Sequence, residues 1–147
     1  MLDDMDKQIV RLLQKNARTP NTEIARSLGV TETTIRNRVN RLVEENLIEI
    51  VAVVNPSATD ATISAIIHVR VQPRHLQGVA TALRGHGEVR YLALTLGEHQ
   101  IVIEAFFRDH HHMLSFETDV LGELGGVTGA ETAIVVQVDK LSYEWEI

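Results

Sequence analysis

The chain has 147 residues, 44% hydrophobic and 23% charged, and 14 Lys+Arg against 20 Asp+Glu give it a formal net charge of -6. This is globular composition, able to bury roughly 70% of the unfolded surface, and it excludes a disordered chain. The absence of cysteine excludes disulfides, thiolate chemistry and cysteine-bound zinc, and suits a reducing cytosol.

The net charge is unevenly spread. Residues 1–55 hold 8 basic and 8 acidic residues, whereas residues 56–147 hold 6 basic and 12 acidic. Between residues 18 and 41 every basic residue is arginine: Arg18, Arg26, Arg36, Arg38 and Arg41 stand against Glu23 and Glu32. A local arginine island on an acidic protein is the footprint of a face that meets nucleic acid. A plain solvated helix face gives the same charge pattern.

Helical spacing dominates up to residue 48. Met5, Ile9, Leu12 and Leu13 form one helical face, capped by Asp3, with Asp4 and Asp6 at its positive end. Thr19-Pro20 reads as the cap and first position of a second helix. Its inner face is Ile24, Ala25 and Leu28, and Gly29 stops it. Thr31 caps a third helix with Ile35, Val39, Leu42 and Val43 inward, closed by a left-handed Asn46. Small Ala25, Gly29 in the turn and branched Ile35 fit a helix-turn-helix.

On that third helix the wheel places Thr33, Asn37, Asn40, Arg41 and Glu44 outward, with Thr34, Arg36 and Arg38 on the flanks. Asn reads adenine and Arg reads guanine bidentately in the major groove. Thr33, Asn37 and Asn40 are therefore expected near bases, and Arg41 at a base or phosphate. Arg18, Arg36 and Arg38 are expected at phosphates, with Thr34 beside them. Glu44 reads as a solvated helix residue. A helix-turn-helix used only for protein contacts is the alternative.

The run Asn55-Pro56-Ser57-Ala58-Thr59-Asp60 is a turn-rich hinge. Alternation from Ala65 to Val71 then predicts a strand, and Leu76, Val79, Ala80 and Leu83 predict a helix ended by Gly85 and Gly87. Two strands follow, Val89 to Leu96 and Ile101 to Phe107, joined by the turn Gly97-Glu98-His99-Gln100. Asp109 caps a helix with Met113, Phe116, Val120 and Leu124 inward, stopped by Gly125-Gly126. Thr132 to Val138 is the last strand.

The fold class is thus α+β: an N-terminal winged helix-turn-helix in residues 1–55, with a hinge strand, and a C-terminal ferredoxin-like βαββαβ domain in residues 56–147. One sheet face is left carrying His68, Arg70, Glu104 and Gln137 with Leu92 and Phe106, which predicts pairing with a second subunit. The tail Leu141, Tyr143, Trp145 and Ile147 alternates and reads as a strand for a subunit contact, or else for packing within the chain.

The chain resembles the Lrp/AsnC, or feast/famine, family of transcription regulators. The resemblance covers almost the whole length. It rests on Leu2-Asp3-x-x-Asp6, Asn16-Ala17-Arg18, Glu23-Ile24-Ala25, Arg38-Val39-x-Arg41-Leu42 and Leu47-Ile48, followed by βαββαβ. It implies a sequence-specific regulator of metabolic genes that binds double-stranded DNA. It also implies dimers that build tetramers or octamers, and a small effector, often an amino acid, held between dimers.

The family's effector turn, T-G-x-Y-D-like, corresponds here to Leu96-Gly97-Glu98-His99-Gln100. Gly97 matches. Leu96, His99 and Gln100 replace the threonine, the aromatic and the acid, and a Thr-x-Thr pattern reads Ala130-x-Thr132. Neutral Gln100 does not supply the charge an ammonium group wants. The candidate effector residues are Gly97, Glu98, His99, Gln100 and Thr132. A different effector, a charge supplied by Glu98, and a vestigial site stand as alternatives.

Other chemistry finds little support. His110, His111 and His112 fan about 100° apart on a helix and do not converge on one ion. No metal or cofactor is expected. His99 reads as a pH-dependent or ligand group, or as a solvated turn histidine. No nucleophile-base pair, phosphate loop or paired-carboxylate motif is present, and no catalytic residue is assigned. A haem-pathway decarboxylase on the same two-domain plan, using His68, His99 and Arg70, and a ligand sensor that never touches DNA are the other classes. The acidic start Met1-Leu2-Asp3-Asp4 does not read as a signal peptide, and the apolar run Ile50 to Val54 is far short of the roughly 18 residues of a membrane span. A cytoplasmic protein without membrane contact is expected.

Overall fold

Asp3 starts the first helix by a reciprocal cap. Its carboxylate accepts from the Asp6 amide at 2.8 Å, and the Asp6 carboxylate accepts from the Asp3 amide at 3.1 Å. The computed structural model describes all residues except 56, 57, 143 and 145. The readings of Pro56 and Ser57 as hinge and of Tyr143 and Trp145 as tail strand lie outside the described residues. The chain forms two units by contact, residues 1–53 with 140–147, and residues 54–139. The expected boundary placed all of 56–147 together. Residues 140–147 group with the first unit instead, because Ile147 packs on its core and Arg11 donates to the Ile147 carbonyl.

In the first unit, α1 (Asp4–Lys15), α2 (Asn21–Leu28) and α3 (Glu32–Glu44) bury Ile9, Val10, Ile24, Ala25, Ile35 and Leu42 between them. Pro20, not Thr19, stands at the cap position of α2. The Thr19 hydroxyl is turned back to the Asn16 carbonyl at 2.8 Å and closes the end of α1. Gly29 at φ 68 ends α2, and the Thr31 hydroxyl accepts from the Thr34 amide at 3.2 Å to open α3. Asn46 takes the expected left-handed conformation at φ 53, and the Leu47 amide donates to the Leu42 carbonyl at 2.8 Å. Val43, expected inward, is exposed. The expected hinge strand forms no ladder among the described residues, and Ile50, Val51, Val53 and Val54 lie exposed. A strand needs a neighbour, and this segment has none among the described residues.

In the second unit, β1 (Ile63–Val71), α4 (Leu76–Arg84), β2 (Val89–Leu94), β3 (Ile101–Phe107), α5 (His110–Ser115) and β4 (Val127–Ile134) follow in the βαββαβ order. The sheet runs β2-β3-β1-β4, with every neighbouring pair antiparallel. Side chains alternate across it. Ala65, Ile67 and Val69 of β1 and Ile101, Ile103 and Ala105 of β3 are fully buried against the helical layer. The other face presents Ile66, His68 and Arg70 on β1 and Val102, Glu104 and Phe106 on β3, each half-buried. Leu92 packs with the core, not on that open face, and Gln137 lies beyond β4.

Two elements differ from their sequence reading. β4 starts at Val127, five residues ahead of the expected Thr132. Thr128, Gly129, Ala130 and Glu131 carry no apolar alternation, and an edge strand needs none. The fifth helix passes into a π-turn over Phe116–Leu121. One extra residue per turn moves the register, so Phe116 and Leu121 are buried while Val120 only packs against the core.

The turn into β4 is tight. Gly126 has φ +97, and a Cβ there would lie 2.3 Å from Cβ of His75. Gly129 has only ordinary contacts, with Arg70 at 3.6 Å. Gly126→Ala should lower stability by about 1–3 kcal/mol, and Gly129→Ala by no more than about 0.5 kcal/mol. Urea midpoints of the two variants, compared at unchanged m-value, check this.

Candidate nucleic-acid interface and ligand turn

α3 buries Ile35 and Leu42 and turns its opposite side to solvent. Thr33, Asn37 and Asn40 are exposed there, as the wheel predicts, and so is Arg36, which the wheel puts on the flank. Arg18 is exposed in the loop after α1, where its amide donates to the Asn16 side chain at 3.0 Å. Thr34 is half-buried, and its hydroxyl lies 2.8 Å from that of Thr31, so it belongs to the helix cap.

Arg38 and Arg41 are placed otherwise. Arg38 Nη1 donates to Asp3 Oδ2 at 2.6 Å and to Asp6 Oδ1 at 2.8 Å, and Arg41 Nη2 donates to Asp6 Oδ2 at 2.5 Å. Asp6 is fully buried and is the one buried polar or charged residue among those described. Burial raises a carboxyl's pKa. Here the hydrogen bonds from Arg41, the Asp3 amide and Arg38 outweigh it, and the Asp6 pKa is lowered. Asp3 is lowered from 3.8 to about 2, first by the Arg38 hydrogen bond and then by the Asp6 amide.

This four-residue clamp joins α1 to α3. The sequence reading assigned Asp3 and Asp6 to the cap and Arg38 and Arg41 to DNA. The matching signal was there: two acids three apart on one helix face two arginines three apart on another.

The 97–100 turn is held from inside. Gln100 Oε1 accepts from the Val71 amide at 2.9 Å, and its Nε2 donates to the carbonyls of Gly97 and Glu98 at 2.8 and 3.2 Å. The Thr95 hydroxyl donates to the His99 carbonyl at 2.6 Å. Gln100 thus staples the turn instead of pointing a free amide at a ligand.

The turn brings Glu98 and His99 onto the open sheet face. His99 Nε2 lies 3.4 Å from Glu131 Oε1, and the His99 and His68 ring centroids are 5.5 Å apart. Arg70 reaches Glu131 at 3.4 Å and Glu98 at 3.7 Å. Thr132 is not part of this group. It faces the helical layer, where its hydroxyl bonds the Glu117 carboxylate, because neighbouring residues of a strand point to opposite faces. Glu131 was missed in the sequence; its signal is the register that sets it opposite His68 on β1. His112 of the histidine run is engaged elsewhere, with Nε2 2.9 Å from Glu88.

The clamp makes stability depend on acid. Protons reach the unfolded aspartates first, near their ordinary pKa of 3.8, and the folded ones only at lower pH. The clamp's contribution is therefore complete above about pH 5 and drains away as pH falls from about 4 to about 2. Asp6→Asn should cost about 2–4 kcal/mol at neutral pH and flatten that acid limb. Circular-dichroism melts of both proteins between pH 7 and pH 2 test it.

The AsnC-type helix-turn-helix domain model matches residues 2–43, and the Lrp/AsnC ligand binding domain model matches residues 64–144. The HTH-type transcriptional regulator LrpA of Pyrococcus horikoshii is 36% identical over 138 residues, covering 93% of this chain and 98% of the relative. The HTH-type transcriptional regulator FL11 of Pyrococcus furiosus is 34% identical over 145 residues, covering 98% and 95%. Among solved structures, the Neisseria meningitidis transcriptional regulator NMB0573 in complex with L-Met matches with a TM-score of 0.90 at 23% identity, covering 99% of this chain and 97% of that one. AsnC of E. coli matches with a TM-score of 0.87 at 23% identity, covering 96% of each chain. Two family models span both units in the expected order, and full-length relatives exceed 30% identity: the chain belongs to the Lrp/AsnC family of HTH-type transcriptional regulators.

Proposed function

We propose that α3 is the recognition helix of a sequence-specific regulator of metabolic genes, entering the major groove of double-stranded DNA. The observation that carries this is the exposed row Thr33, Arg36, Asn37 and Asn40 on a helix whose other side is buried and clamped. Thr33, Asn37 and Asn40 meet base edges, where the two asparagines suit adenine. Arg36 and Arg18 meet phosphates. Arg38 and Arg41 act mainly by holding α3 on α1, and their side chains, 29% and 42% exposed, keep part of their surface for the phosphates. Thr34 serves the cap that fixes the helix start.

The protein works as a homodimer that assembles further, to a tetramer or octamer, and the half-apolar open sheet face is the surface a second copy covers. The operator is then a pseudo-palindrome with half-sites about one or two helical turns apart. A small effector at the 97–100 turn shifts the assembly, by no more than its differential affinity for the two states. The setting is the cytoplasm, and no helix among the described residues is long and apolar enough to cross a membrane. A sensor acting through protein contacts alone, or a decarboxylase, would leave the α3 row without a task.

Base-substitution scanning of one half-site checks the assignment. Asn37→Ala should remove discrimination at one base pair, about 1–3 kcal/mol, and leave the others. Arg36→Ala should weaken all sequences alike and reduce the slope of log K against log salt by about 1. Unchanged base preference in Asn37→Ala, Thr33→Ala and Asn40→Ala together would exclude α3 as the reading element.

A further inference from the structure

We propose that Glu98, His99 and Glu131 form a binding site for a divalent transition-metal ion, Zn²⁺ being the natural first probe. The sequence reading expects no metal because the consecutive histidines of α5 do not converge, and it weighs His99 without the two carboxylates that folding brings to it. Folding creates a different group. The turn after β2 and the edge strand β4 bring one imidazole and two carboxylates together, with their ligand atoms within 4.8 Å of one another.

Three observations separate this group from an ordinary acidic patch. First, His99 Nε2 is buried and has no hydrogen-bond partner, so its lone pair is available in the tautomer protonated at Nδ1. Second, His99 Nε2 and Glu131 Oε1 are 3.4 Å apart. Zinc bonds of about 2.0–2.1 Å place neighbouring tetrahedral ligands about 3.3–3.4 Å apart, so this pair already stands at the edge length of the polyhedron.

Third, the charge is unbalanced. The nearest cation is Arg70, whose contacts at 3.4 and 3.7 Å are well outside the roughly 2.7–2.9 Å of a strong charge-assisted bond. Its own Nε is buried without a partner. Two carboxylates and one loosely held guanidinium leave a net negative site beside an idle imidazole.

The donor set, one nitrogen and two oxygens, suits a borderline ion such as Zn²⁺. Glu98 and Glu131 are the mobile ligands, with side chains 73% and 60% exposed, while His99 at 17% is the fixed one. The three side chains leave a fourth position for a further donor, from water, a small molecule or the second copy that covers this face. Arg70 is the internal competitor that swings out when the ion enters.

The metal site stands apart from the regulator reading; only its effect on DNA rests on that reading. Zn²⁺ is titrated against a chromophoric chelator with untagged, full-length protein and no DNA. One saturable ion per chain is expected. His99→Ala and the isosteric Glu131→Gln should each weaken it at least tenfold, and Arg70→Gln should tighten it. A combined His110→Ala and His112→Ala variant should retain it. Co²⁺ should give the intense visible absorption of a tetrahedral site, lost in Glu131→Gln.

Absence of saturable binding, or binding unchanged in both His99→Ala and Glu131→Gln, would overturn the proposal. Repeating the DNA titration with and without Zn²⁺ then separates the two readings. Metal binding without any DNA binding contradicts the regulator and not the site. DNA binding without metal binding contradicts the site alone.

Discussion

The buried carboxylate of Asp6 is the constraint on which the first unit depends. A carboxylate taken out of water is costly unless every oxygen finds a partner. Here Arg38 serves one oxygen, and Arg41 and the Asp3 amide serve the other. The two arginines come from α3, so satisfying one charge fixes the rotation of that helix about its axis. Rotation decides which residues look outward. The apolar core of Ile9, Ile24, Ile35 and Leu42 supplies the driving force, but apolar packing alone tolerates slippage. The clamp supplies the angular precision that a row of base-reading side chains requires.

The second unit places its chemistry by alternation. β1 and β3 send one set of side chains into the helical layer and the other to the open face. A turn built on that sheet inherits its geometry, and Gln100 makes the turn rigid by bonding the Val71 amide and two turn carbonyls. The residue that replaces an acid in the family pattern is thus structural here. Arg70, Glu98, His99 and Glu131 are the polar groups gathered around it on the open face.

Much of this was legible in the residues. Periodicity gave the three helices and the βαββαβ order, and Asp3, Thr31 and Asp109 were readable as caps. The exposed face of α3 followed from the wheel. Other features were hidden for definite reasons. β4 begins in a Thr-Gly-Ala-Glu run because an edge strand needs backbone partners more than apolar side chains. The π-turn after Ser115 shifts the buried position from Val120 to Leu121, which a 3.6-residue period does not foresee. The Asp6 clamp joins residues 32 to 35 positions apart, and a helix-by-helix reading leaves such pairs unseen. Glu131 met His99 only once the strand register was known. Long-range polar pairing was the part least visible, and it organises both units.

The most direct measurement is fluorescence anisotropy of the intact protein with DNA from upstream of its own gene, against scrambled DNA, across a salt series. Neutralised phosphates release counterions, so specific binding should appear with log K falling steeply and linearly against log salt. Scrambled DNA should bind more weakly, with salt dependence but no sequence preference. Failure to bind either DNA at low salt would contradict the account of α3 as a clamped recognition helix.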